Sequence, residues 1–390
     1  MARSAPAFSS FTAGEISPRL EGRVNIEKYT EGLSDLTNMV VMPHGGVTRR
    51  PGTEFLGEVA DSSVKTRLIP FQFKTSDTYI LEFGDQTMRV LRNDLQVLDA
   101  TDKNITAITK ANPGVLTSTS HGFSDGDEIY VDSVGGMTEL NGRNYLVANS
   151  TANTFSLQDL FGNDIDTTNF TTYTSGGTAT EIYEIATPYA AADLFDLRFA
   201  QSADTMYIVH PSYDIRTLTR TDHNAWTFST FTITGTPTPA LSGSNNRPSV
   251  VSFFEQRLVF GNTNNNPQTL WFSKNGDYGN FTVGTADDDA LIYTIASNQV
   301  NAIRFLSATR VLTVGTSGGE YVLTSTNDGP VTPTTTLIRK YSNYGTALIE
   351  PVQVADVTLF VQRGNRKIRE FKFVGDVNTG GYSAPDMTIL

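Results

Sequence analysis

The chain has 390 residues, 38% hydrophobic and 18% charged, and its 41 acidic against 29 basic side chains give a formal charge of −12. Without a single cysteine it can build no disulfide scaffold, no thiolate metal site and no thiol nucleophile, while its length is ample for a true core. The acidic balance argues against a surface that grips phosphates, and no apolar run reaches the roughly 18 residues of a spanning helix.

Met1 to Ser10 lacks the basic and long apolar regions of a secretory signal. The opening is rich in turn residues and guanidiniums: Phe11 to Arg19, then Arg23, then Pro43 to Thr53 with Arg49 and Arg50. Pro18, Pro43, Pro51 and the Gly45-Gly46 pair hold this backbone in turns. Such a segment suits docking through Arg19, Arg23, Arg49 and Arg50; equally, the four could close the fold through intrachain ion pairs. Gly45-Gly46 before two arginines has the look of an anion-binding turn, but the Gly-Lys-Ser/Thr of a P-loop is missing. Ile26 to Met39 carries the best helical spacing in the chain, and helix is expected nowhere else for more than two turns.

Alternating apolar segments then recur: Thr78 to Phe83, Met206 to Val209, Arg257 to Phe260, Val311 to Val314 and Val357 to Val361. Each belongs to a unit made of an apolar lead-in, a strand, a turn and a second strand, as in Leu68 to Phe71, Tyr79 to Gly84 and Met88 to Leu91. A sandwich does not require the lead-in and hairpin to return together. A β-propeller does, so the expected fold is all-β with a propeller-like main body. Between the first and second units the texture changes. From Asn104 to Ile182, short strands about ten residues apart are separated by Asp-Gly and Asn-Gly turns, which predicts a small β-barrel inserted into a blade. The expected division is therefore 1–103, a docking segment with the first hairpins; 104–182, the inserted module; and 183–390, the remaining blades.

No catalytic constellation emerges. His121-Gly122-Phe123 leads a hairpin into the strand Glu128 to Val131, and the four histidines are too scattered for a paired metal motif. Asp287, Asp288 and Asp289 lack the glycine spacing of a calcium loop, and no G-x-S-x-G elbow occurs. The sequence thus predicts no enzyme, no cofactor and no metal. The competing class is a glycan-binding or glycan-degrading propeller, with Asp287 and Asp289 as acid and base or Trp226 and Trp271 as stacking platforms.

Phe11 to Val24, Lys28-Tyr29, Gly32-Leu33 and Pro43 to Thr53 resemble the opening of a family of structural proteins of short-tailed bacteriophages, the tail nozzle or tail tubular protein B family. Leu270 to Phe281, Ala296 to Ile303, Gly318 to Leu323, Val331 to Pro333 and Val361 to Glu370 continue that resemblance. It implies a virion protein of the phage tail: a homohexameric ring that stacks beneath a head-to-tail adaptor, carries tail fibres or spikes, and surrounds double-stranded DNA in transit without binding it specifically. It also implies that Arg19, Arg23, Arg49 and Arg50 meet a neighbouring subunit or the adaptor; members of the family usually run well beyond the stretch Gly381 to Leu390, so the expectation is either a short or split version or a chain that continues. The insert is similar to a small β module of phage tail proteins that is also likened to a half-domain of ubiquitin-activating enzymes; without a cysteine no ubiquitin chemistry follows.

Overall fold

The computed structural model describes residues 8–327, 329–375 and 381–388. Of the expected opening, residues 1–7 lie outside this set. The chain divides into two compact units, Leu56–Glu350 and a second that joins Met1–Phe55 to Pro351–Leu390. Regular structure among the described residues is strand with short 3₁₀ turns.

The larger unit carries four antiparallel blade sheets, the first five-stranded and the other three four-stranded meanders. The first is built from Arg67–Lys74, Asp77–Phe83 and Thr87–Arg92, with Glu184–Ala186 in fourth place. The second runs Arg198–Ser202, Thr205–His210, Tyr213–Asp222 and Ala225–Thr230. In the third the strands are Val250–Phe254, Arg257–Gly261, Thr269–Phe272 and Leu291–Thr294. Ile303–Ala308, Leu312–Thr316, Gly319–Ser325 and Thr336–Ser342 make the fourth. The first strands of the second, third and fourth sheets lie side by side, which is the inner position of a propeller blade.

Strand alternation explains why these sheets stack face to face. Successive side chains turn to opposite faces, so Met206 and Ile208 join the core shared with the first sheet, while Tyr207 and Val209 join the core shared with the third. Leu258 and Phe260 repeat the pattern against the second sheet, and Val259 looks towards the fourth. A central blade strand is therefore apolar on both faces. Burying each large aliphatic side chain in this way contributes roughly 1.5–3 kcal/mol. The main body is thus an all-β, propeller-type stack.

An inserted module splits the fourth-strand position of the first blade. Leu95–Gln96 pairs with one half of Thr87–Arg92 and Glu184–Ala186 with the other, and a bridge between Leu98 and Ile182 pins the two crossing points. The module's seven-stranded sheet spans Lys103–Asn104 to Ser175–Glu181. One short stretch supplies both of its edges, since Lys103–Asn104 pairs with Ala179 and Thr178 and Ala107–Ile108 pairs with Thr117 and Leu116. That curls the sheet into a small barrel around Leu116, Ile129, Val131, Leu140, Val147 and Phe155. At the neck Arg89, only 8% exposed, donates to Glu184 at 2.8 Å and to the buried Glu128 of the module at 2.5 Å. Asn144 bridges Glu128 to Gln96 through bonds of 2.8 and 2.6 Å.

The smaller unit holds a fifth antiparallel meander, Val352–Val354, Val357–Val361, Ile368–Val374 and Gly381–Ser383. The expected helix at Ile26 to Met39 is absent. A 3₁₀ turn at Glu27–Glu31 is followed by Gly32–Leu33, which pairs in parallel with Gly14–Glu15. Close packing enforces this: a Cβ on Gly32 would lie 2.7 Å from Ile16, and Asp35 then caps Thr37 in a turn. The apolar spacing that mimics a helix serves this crossing instead.

Candidate functional site

The arginine-rich opening forms a small scaffold of turns. Met39–Val41 and Val47–Arg49 make a hairpin in which Met39 lies opposite Arg49. Its turn needs glycine, because Gly45 sits at φ +95° and a Cβ there would meet Ser10 at 2.9 Å. The Gly45 amide donates to the Met42 carbonyl at 3.0 Å, so the anion-binding reading of this turn is not realised. Arg49 ends the second strand of the hairpin, and Arg50 follows it with its amide donating to the Asn38 carbonyl at 3.0 Å. Arg19 lies in the 3₁₀ turn Pro18–Leu20, and the Arg23 side chain donates to Asn25 at 2.9 Å.

All four guanidiniums are exposed, and none makes an ion pair among the described residues. Three acids of the same stretch bond to the local backbone or a hydroxyl. Glu31 accepts from Thr12 at 2.8 Å, Glu15 from the Leu36 amide at 3.0 Å and Asp35 from the Thr37 amide at 2.9 Å. A cavity of about 310 Å³ opens beside Arg19, lined by Phe8, Ile16, Pro18, Glu21 and Tyr29. Half of the large apolar side chains exposed among the described residues belong to this smaller unit, which is about a quarter of the chain; Val24, Met39, Val40 and Met42 are among them.

The acidic triplet is organised by backbone recognition. Arg257, 1% exposed, donates to the carbonyls of Asp289 and Asp287 at 2.6 Å each and to Ser273 at 2.8 Å. Lys274 pairs with Asp288 at 3.0 Å and Asp289 at 3.5 Å, and its ammonium holds the Asp288 carboxyl below its usual range. Both tryptophans are internal: Trp226 is 6% exposed and Trp271 fully buried, with the Trp271 indole donating to the Pro239 carbonyl at 2.8 Å. Neither offers a stacking platform.

His121 is buried against Phe123 and Phe155, and its Nδ1 accepts from the Phe123 amide at 3.0 Å, which makes it a turn residue. No group of three or more histidine or acidic side chains suited to a metal occurs among the described residues. No helix among them is long and apolar enough to cross a membrane.

Residues 111–183 match the family described as the ubiquitin-activating enzyme E1 FCCH domain. Ubiquitin-like modifier-activating enzyme 1 of Oryctolagus cuniculus and of Homo sapiens are each 33% identical over 105 residues, which is 26% of this chain. That stretch covers only 9% of either relative, so this chain spans a small part of their length. Among solved structures, a Myceliophteria thermophila Cps50 (Swd1) β-propeller domain overlays 91% of this chain and 89% of its own, at 12% identity and a TM-score of 0.35. The phage phi92 endosialidase overlays 79% of this chain and 54% of its own at 13% identity and a TM-score of 0.32. The blade architecture described above rests on the sheets themselves.

Proposed function

We propose that this protein is a structural subunit of a bacteriophage tail, a nozzle-like ring component that surrounds the path of ejected DNA, stacks on a head-to-tail adaptor and carries fibres or spikes. One observation carries the reading. The smaller unit gathers half of the exposed large apolar side chains of the described residues and carries four guanidiniums that make no ion pair among those residues. Exposed apolar area concentrated in this way marks a surface made for another protein, and unpaired arginines at its rim are suited to fixing register. The motifs at Phe11 to Val24 and Pro43 to Thr53 lie within it and resemble those of nozzle proteins. A net charge of −12 suits a lumen that repels the phosphate backbone. No turnover is required of such a subunit.

Reversing charge at Arg49 and Arg50 to glutamate is expected to leave the circular dichroism unchanged while abolishing assembly, seen as loss of rings in negative-stain images and of the oligomer in native mass spectrometry. Both residues are exposed and unpaired, so folding has little reason to suffer. Rings that persist in the double variant would remove the hairpin from the interface. In parallel, Asp287→Asn with Asp289→Asn is expected to preserve assembly, with no oligosaccharide released from host polysaccharide by either protein. Cleavage by the wild-type protein that the double variant loses would establish an enzyme instead.

A further inference from the structure

The turn that follows the module strand Thr154–Gln158 carries an unusual side chain. Phe161 is 85% exposed, the most exposed large apolar side chain among the described residues. The turn that presents it is held from several directions. Asp159 accepts from the amides of Phe161 at 3.0 Å and Asn163 at 2.8 Å, its own amide donates to the Asn163 carbonyl at 2.8 Å, and Gly162 takes φ +84°. A ring presented on so constrained a turn loses little freedom on binding, which is the condition for an interface anchor. Three carboxylates, Asp159, Asp164 and Asp166, surround it in sequence, and no lysine or arginine occurs between Arg143 and Arg198. Hydrogen bonds from Asn163 and Thr168 hold Asp159 and Asp166 below the ordinary carboxylate range.

The complementary surface is also on this chain. From Leu36 to Thr53 there is no acid, and the hairpin there exposes Met39, Val40 and Met42 beside Arg49 and Arg50. Methionines adapt to an aromatic ring and make favourable sulfur contacts with it, while two arginines facing three aspartates fix orientation. We propose that the Phe161 turn of one copy docks on the Met39–Arg49 hairpin of a second copy, as a head-to-tail contact between subunits. This rests on the assembly reading above and names the partner of that same surface. A heterologous contact of this kind repeats from copy to copy and closes into a ring when its rotation permits.

The absence of native cysteine allows a direct test. Phe161→Cys on one preparation and Met42→Cys on another, mixed under mild oxidation, are expected to give a disulfide-linked dimer. Phe161→Cys mixed with Val283→Cys, a position at least as exposed as Met42 in the loop before the last strand of the third blade, should give none. Arg49→Glu with Arg50→Glu in the Met42→Cys chain is expected to suppress the cross-link, and Asp164→Arg with Asp166→Arg in its partner to restore it. Phe161→Ser, which removes no buried contact, should weaken self-association about tenfold or more in sedimentation. Cross-linking no faster than the Val283 control, or rings that form normally with Phe161→Ser, would overturn the docking while leaving the ring reading intact. A wild-type chain that stays monomeric yet cross-links specifically would support the docking and count against the ring.

Discussion

Trp271→Ala will unfold the larger unit at markedly lower urea, with a loss of about 3–5 kcal/mol. The indole is fully buried in the core shared by the second and third blades, against Leu258, Phe260 and Phe281, and its N–H reaches the Pro239 carbonyl. Alanine leaves a cavity between two stacked sheets and strands that carbonyl. Phenylalanine keeps most of the apolar area and loses the hydrogen bond, so Trp271→Phe should cost about 1–3 kcal/mol. Trp226 remains as a fluorescent reporter in both variants, since the chain has two tryptophans. An unchanged midpoint for the alanine variant would mean that the blades do not share this core in solution.

Glu128→Ala is expected to cost a further large amount, about 3–5 kcal/mol, because it leaves the Arg89 guanidinium with one of its two carboxylates at a site that water barely reaches. Asn144 loses an acceptor as well. Replacing both partners, as Arg89→Met with Glu128→Leu, removes the stranded charge and should recover most of the loss. A thermodynamic cycle over the two single and the double variant, read by urea unfolding, measures the coupling. Additive single effects would show that the neck is held by the paired strands alone.

The five alternating segments read from the sequence fall, to within a residue, in the second strand of a sheet: Asp77–Phe83, Thr205–His210, Arg257–Gly261, Leu312–Thr316 and Val357–Val361. They are legible because packing on both faces demands a compact apolar run, whereas outer strands such as Ala225–Thr230 and Thr336–Ser342 are half solvated and read like loops. The misread helix at Ile26 to Met39 shows the converse: periodicity records which residues turn inward but not that Gly32 must pass against Ile16. The arginines are conspicuous in an acidic chain, yet no spacing rule reveals that Glu15, Glu31 and Asp35 bond to local donors instead of to them. Phe161 left no signal at all, since an aromatic beside Gly-Asn looks like any turn until its exposure is known.

The split of the first blade's outer strand has a mechanical consequence. The module leaves and rejoins the body as two crossing points bridged at Leu98 and Ile182, with Asn224 of the second blade donating to the Leu98 carbonyl at 3.3 Å. Traction on the module's far end therefore acts across the few hydrogen bonds of Glu184–Ala186 and Leu95–Gln96, opening them one after another like a zip, instead of shearing a long ladder at once. The inner strands Arg67–Lys74 and Asp77–Phe83 are contiguous in sequence and pair with each other along their whole length, so they lie outside this path. Yielding would stop at the edge of one blade. The neck is in effect a mechanical fuse: a tug on the appendage detaches an outermost strand while the body keeps its shape.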